Sequence, residues 1–147
     1  MTEEHYTSFL ASLRLRWFKP DEITRQSRRK RAGVTNSLPP LSLVDNIVPT
    51  LWVADFARES LGTPLTITSA YRSEDYNRAV GGADMSQHKV NTALDIIPSG
   101  GPAALDRLWA LLLAMRKAKT FAGGLGIYRS SGFIHLDTRG HNATWDQ

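Results

Sequence analysis

Two stretches, TALDIIP at 92 to 98 and GFIHLDT at 132 to 138, constrain this chain more than any other feature. Each is rich in β-branched and aliphatic residues, and each interleaves them with groups that carry chemistry. A strand turns successive side chains to opposite faces of its sheet. In the second stretch Ile134 and Leu136 therefore share an apolar face, while Phe133, His135 and Asp137 share the other. In the first, Asp95 points opposite to Leu94 and Ile96. Such strands demand a sheet with one face buried and the other turned to a groove or to solvent. If the two pair, Asp95 and His135 lie on one face, close together.

The remaining elements fit around that sheet. PLTITSAYR at 64 to 72 alternates with β-branched residues and reads as a further strand. Ser73 is a good N-cap for a short helix through Val80, stopped by Gly81 and Gly82. Residues 41 to 60 read as a helix with Val44, Ile47, Val48, Leu51 and Trp52 inward, ended by Gly62; Pro49 predicts a kink or a later start. GGPAALDRLWALLLAMRKAKT is the strongest helix, with Pro102 in its first turn and Arg116, Lys117 and Lys119 in its last. GGLGIYRSSGFIHLDTRG reads as a Gly-rich hairpin turning at Ser130 to Gly132. Near the N-terminus, Tyr6, Phe9, Leu10 and Leu13 suit a helix over 3 to 16, broken by Pro20. Residues 14 to 31 hold eight Lys or Arg, RRKR at 28 to 31 among them, and read as a solvated basic loop closed by TNSLPP. The expected class is α+β: a small antiparallel sheet with helices packed on one side. The expectation is one domain over 1–147, with its core at about 17–145 and a helical extension at 1–16.

Composition narrows the chemistry. There is no cysteine, so neither disulfides nor thiolate metal sites exist, and any metal must be held by His and carboxylate. A net charge of +4 and a pI near 9.7 suit polyanionic surroundings such as nucleic acid, a membrane surface or an anionic cell wall. The nucleic-acid reading has charge as its sole support, without aromatic–basic interleaving or a helix-turn-helix pattern. No run approaches about 18 apolar residues, so no membrane-spanning helix is expected. Glu3, Glu4 and His5 stand where an export signal would need basic and apolar residues.

In SQHKVNTALDI at 86 to 96, His88 lies seven residues ahead of Asp95. Spacing alone leaves two readings open. These are hydrogen-bonded polar residues around a strand, or with His135 they are a two-His, one-carboxylate metal site with open positions.

The wording around them is more specific. ITSAYRSEDYNRAVGGADMSQHKVNTALDI followed by GLGIYRSSGFIHLDTRGHNATW resembles the zinc D-alanyl-D-alanine carboxypeptidase and murein endopeptidase family, of Hedgehog/DD-peptidase-like fold. It is most similar to the short bacterial and phage branch. The matching patterns are S-G-Y-R-S, S-x-H-x-x-G-x-A-x-D and G-F-[VI]-H-[VL]-D, and the resemblance covers roughly residues 17 to 145. It implies one zinc per chain on His88, Asp95 and His135, with Arg72 as the substrate-binding cation. Ser86 and Tyr71 are expected beside the substrate, and Tyr128 and Trp145 are candidates for the groove wall. Asn91 stands where the family has Gly, in a turn Asn can tolerate. Ala70 replaces another Gly.

The wider fold has an acidic residue three before the last ligand, where this chain has Gly132. Asp137 is therefore the candidate general base, with the holding of a ligand imidazole as its equal alternative. The implied activity is zinc-dependent hydrolysis of peptidoglycan peptides by a monomer, with no nucleic acid or membrane partner. Terminal and internal cleavage both stay open. A non-catalytic, zinc-stabilised wall-binding module is the alternative. The expected location follows: cytoplasmic synthesis, then action on the wall after release, as a phage or prophage lysin or tail component.

Overall fold

A computed structural model describes all 147 residues, Met1–Gln147. The elements run α1 (Glu3–Ser12), α2 (Pro20–Thr24), β1 (Lys30–Arg31), β2 (Val34–Thr35), α3 (Val48–Leu61), β3 (Leu65–Ser69), α4 (Glu74–Ala79), β4 (Ala93–Pro98), α5 (Gly101–Lys117), β5 (Gly124–Tyr128), β6 (Phe133–Asp137) and β7 (Ala143–Asp146). The main sheet has the order β3-β4-β6-β5-β7. Its pairs are antiparallel except β5 with β7, which is parallel.

Register sorts the side chains into rows. Ile67, Ile96, Ile134 and Ile127 stand opposite one another across four strands, all buried, and face α3 and α5. One residue along β4, β6 and β5, Asp95, His135 and Gly126 form the neighbouring row on the opposite face. Trp145 joins it from β7 and Ser69 from β3, where a bulge between Ile67 and Ser69 shifts the register. The alternation of each strand thus becomes two continuous surfaces, one core and one site.

The helices follow from their sequences. α5 opens with Pro102 in its first turn, buries Ala104, Leu105, Leu108, Leu112 and Met115, and closes on Arg116 and Lys117. The Arg116 guanidinium reaches on to the carbonyls of Gly123 and Ala143, tying the helix end to the sheet edge. α3 ends at Gly62, whose φ of 70° is the left-handed cap.

Several expectations shift. The 41–60 helix begins late: residues Leu41–Ile47 form a 3₁₀ segment, and Pro49 takes the first turn of α3. Trp52 is 56% exposed instead of inward. The inner stripe is Leu51, Ala54 and Ala57, and Trp52 falls about 100° round the helix from Leu51. Pro20 does not break the first helix, which has already ended at Ser12, but begins α2. The extension at 1–16 is helical only to Ser12, and its Tyr6 and Leu10 sit in the common core. Part of the basic loop is a hairpin, with Lys30 opposite Thr35 and Arg31 opposite Val34. Its two-residue turn, Ala32 and Gly33, has both φ values positive (48° and 78°), as such tight hairpins require. β7 was not anticipated, because its polar residues, half in solvent, carry little hydrophobic period.

Candidate metal centre

Three elements bring the site together. β4 and β6 set Asp95 directly opposite His135. His88 comes from a single 3₁₀ turn, Gln87–Val90, whose start is capped by Ser86 Oγ accepting the His88 N–H at 3.3 Å. Asn91 then turns the chain into β4 with φ 58° and ψ 39°, and its buried amide donates to the Leu43 carbonyl at 2.9 Å. The left-handed turn survives without glycine, in the way Asn allows.

Donor atoms of His88, Asp95 and His135 all lie within 4.8 Å of one another. The outer nitrogen of each ring assigns the tautomer. His88 Nδ1–H donates to the Ala70 carbonyl at 2.6 Å, which leaves a lone pair on Nε2. His135 Nε2–H donates to Asp137 Oδ2 at 2.8 Å, which leaves a lone pair on Nδ1. Both lone pairs point at the same oxygen, Asp95 Oδ1, each from 3.1 Å. Three buried acceptors thus converge on one point, an arrangement that a cation would satisfy.

Protonation follows the same geometry. Burial holds the His88 ring below its ordinary pKa, against the pull of Asp95, so it is neutral. Burial pushes His135 the same way, but Asp137 and Asp95, both of which can accept from the ring once Nδ1 is protonated, prevail and raise its pKa. The Nδ1 lone pair belongs to the neutral ring. Burial would raise Asp95, yet the neighbouring imidazoles hold it well below the carboxylate range.

Asp137 lies behind His135 and is completely buried. Its Oδ1 accepts from the backbone N–H groups of Gly124 and Arg139 and from Arg139 Nε. Its Oδ2 accepts from His135 and from Arg139 Nη2 at 2.6 Å. Gly124 permits this approach, since a Cβ there would sit 2.4 Å from Asp137 Oδ2. Burial raises the Asp137 pKa, but these donors more than offset it and leave the carboxyl ionised. Arg72, after β3, donates from Nε to Ser69 Oγ and from Nη2 to Asp95 Oδ2, both at 2.8 Å. Its partner is a candidate ligand, not Glu74 or Asp75.

A groove of about 610 Å³ opens over the three residues. Arg72, Ser86, Tyr128 and Trp145 line it as well. Tyr71 does not; it lines a small crevice with Tyr6, Ile23 and Ala70, because the chain leaves the sheet after Ser69. His141 and His5 stand outside both spaces. Phe133, on the strand face of His135, lines the groove, and so does Arg139, which was missed from sequence. The signal for Arg139 was its position two residues after Asp137, where an acid–base pair can close on itself. Trp145 stacks obliquely on His135 at 5.2 Å and donates from Nε1 to the Tyr128 hydroxyl at 2.8 Å.

The family model described as Peptidase M15 matches residues 16–137. The peptidoglycan L,D-endopeptidase MepK of Escherichia coli (strain K12) is 39% identical over 85 residues, covering 53% of this chain and 43% of that protein. MepK of Shigella flexneri matches with the same 39% identity over 85 residues, 53% of this chain and 43% of that protein. The chain spans less than half the length of these curated relatives. No solved structure matches significantly.

Proposed function

The chain belongs to the Peptidase M15 family, and from that premise we propose that it hydrolyses peptide bonds of peptidoglycan with one zinc ion held by His88, Asp95 and His135. The observation that carries this reading is the convergence of two imidazole lone pairs on one buried carboxylate oxygen, each at 3.1 Å. The donor set fits zinc: two nitrogens and one oxygen, no thiolate, and open positions toward a groove. When bound, zinc lowers the pKa of a coordinated water and polarises the scissile carbonyl.

The protein's own groups do the rest. Asp137 holds the His135 ring in one tautomer and aims Nδ1 at the site. Arg139 neutralises Asp137 from behind. With all its contacts taken up in this way, Asp137 acts as an orienting group and not as the general base. Arg72 spends Nε and one Nη2 proton on Ser69 and Asp95, which leaves Nη1 for a substrate carboxylate. Tyr128 and Trp145 supply an aromatic wall for the peptide.

Internal cleavage is the preferred mode. A second space of about 540 Å³ continues the groove beyond the site and shares Arg72, Val80, Asp95 and Phe133 with the first. A substrate can therefore extend to both sides, in keeping with the relatives' L,D-endopeptidase activity. One observation favours the non-catalytic reading: Asp95 is the sole side-chain carboxylate on the groove wall. Digestion of purified peptidoglycan, with zinc and with a chelator, decides between them by mass analysis. Zinc-dependent internal fragments support the peptidase. Loss of single terminal residues would mean carboxypeptidase action, and wall binding without fragments would mean a binding module.

A further inference from the structure

The basic run at 28 to 31 takes no part in the site described so far. Its four cations divide sharply. Arg28 pairs with Glu3 and Asp21, away from the groove. Arg29, Lys30 and Arg31 have no carboxylate within 4.0 Å; Arg29 Nε donates to the neutral Gln26 amide at 3.1 Å. These three, exposed and unneutralised, line the second half of the groove together with Arg72. Asp95 is the one acidic residue on that wall, and it is engaged by Arg72 and the two histidines.

The hairpin that carries them is anchored. Two-residue strands cannot stand alone. Asn36, buried, receives the hairpin end through its own N–H on the Arg29 carbonyl at 2.8 Å. Its side-chain amide donates to the carbonyls of Gln26 and Tyr71, and its Oδ1 accepts the Ser73 N–H at 2.9 Å. Tyr71 and Ser73 flank Arg72. One side chain therefore sets the basic hairpin at a fixed place relative to the groove cation nearest the metal centre.

We infer that the β1–β2 hairpin is a carboxylate-binding subsite of the groove, with Arg29, Lys30 and Arg31 taking free carboxylates that branch from the peptide on one side of the scissile bond. The enzyme then selects acidic stem peptides over those whose carboxyls are amidated. This rests on the peptidase reading of the groove. Nucleic acid fits less well, because base stacking needs open aromatic faces. Of the two aromatics on this wall, Tyr76 is buried and Phe133 is stacked on Tyr128 at 4.3 Å.

The test uses two synthetic stem peptides that differ only in carboxylate against carboxamide. The zinc-loaded protein is compared with the triple variant Arg29→Gln, Lys30→Gln, Arg31→Gln. A control variant, Arg107→Gln, Lys117→Gln, Lys119→Gln, removes equal charge on α5 and just beyond its C-terminus. The wild type should show a KM about tenfold lower for the free-carboxylate peptide, the worth of one charge-assisted hydrogen bond. The groove variant should lose that preference and the control should keep it. Retention by the groove variant, or equal loss in the control, overturns the subsite. If neither peptide is cleaved, the peptidase reading fails separately, and equilibrium binding of the same peptides by fluorescence anisotropy tests the hairpin. The carboxylate peptide should then bind tighter in wild type alone. Equal binding of the two, or tighter binding of an oligonucleotide of matched length, overturns the inference.

Discussion

Asp137 illustrates how much a single residue's surroundings decide. It shares a strand face with His135, so alternation alone made it equally fit to take a proton from water or to hold the ring. Its five contacts are all donors: the N–H groups of Gly124 and Arg139, two from the Arg139 guanidinium, and His135 Nε2–H. In Asp137→Asn the amide must turn its NH₂ against at least one of them. The expected result is zinc affinity weaker by about ten- to a hundredfold, with hydrolysis recovering at high zinc. Metal titration with a competing chelator checks this. A fall in hydrolysis of several orders of magnitude at unchanged zinc affinity would return the base role to Asp137.

At the scale of elements, the neighbouring rows depend on what stands in them. Gly126 leaves the space that Trp145 fills; a Cβ there would lie 2.1 Å from the indole nitrogen. Gly126→Ala should therefore expel Trp145 from His135 and break its bond to Tyr128, changing the tryptophan fluorescence. Peptide cleavage should fall by about a hundredfold, as displaced groove contacts do, while metal content should match that of the unsubstituted protein. The β1–β2 hairpin depends on Asn36 in a similar way. Asn36→Ala leaves buried carbonyls and an N–H unpaired, and destabilisation of about 2–3 kcal/mol is expected in urea unfolding.

For the whole molecule, the proposed zinc would be linked to the fold. The candidate ligands, gathered from a 3₁₀ turn, β4 and β6, converge only in the folded chain, so a zinc held there should stabilise it by about 4 kcal/mol at a thousandfold excess over Kd. That corresponds to a Tm rise on the order of 10 °C, reversed by chelator. The rise should grow with pH. His135 has a raised pKa in the metal-free fold, so its protonated form stabilises that fold below the unfolded histidine pKa. This contribution is lost as pH climbs through the raised value, just where the proton ceases to compete with zinc. Thermal scans with and without zinc across that range check it; a pH-independent increment would contradict it.

Short-range regularities were legible in the residues themselves: the alternation of 92–98 and 132–138, the apolar stripe of α5, the turn at Ser130 to Gly132. So was the set of candidate ligands, because a chain without cysteine has few donors and the motifs around His88, Asp95 and His135 resemble those of a known family, where their spacing alone left two readings open. Alternation has a period of two and names a face, not a partner. Pairing register is a long-range choice, and it alone put Asp95 opposite His135 and Trp145 opposite Gly126. The same holds for Arg72, whose nearest acids in sequence are Glu74 and Asp75 but whose partner is Asp95. It holds for the basic run, where a buried Asn36 converts a stretch of solvated charge into one wall of a groove. Local propensity acts over a few residues, whereas the site draws on residues more than a hundred positions apart, which only the packing of the sheet brings together.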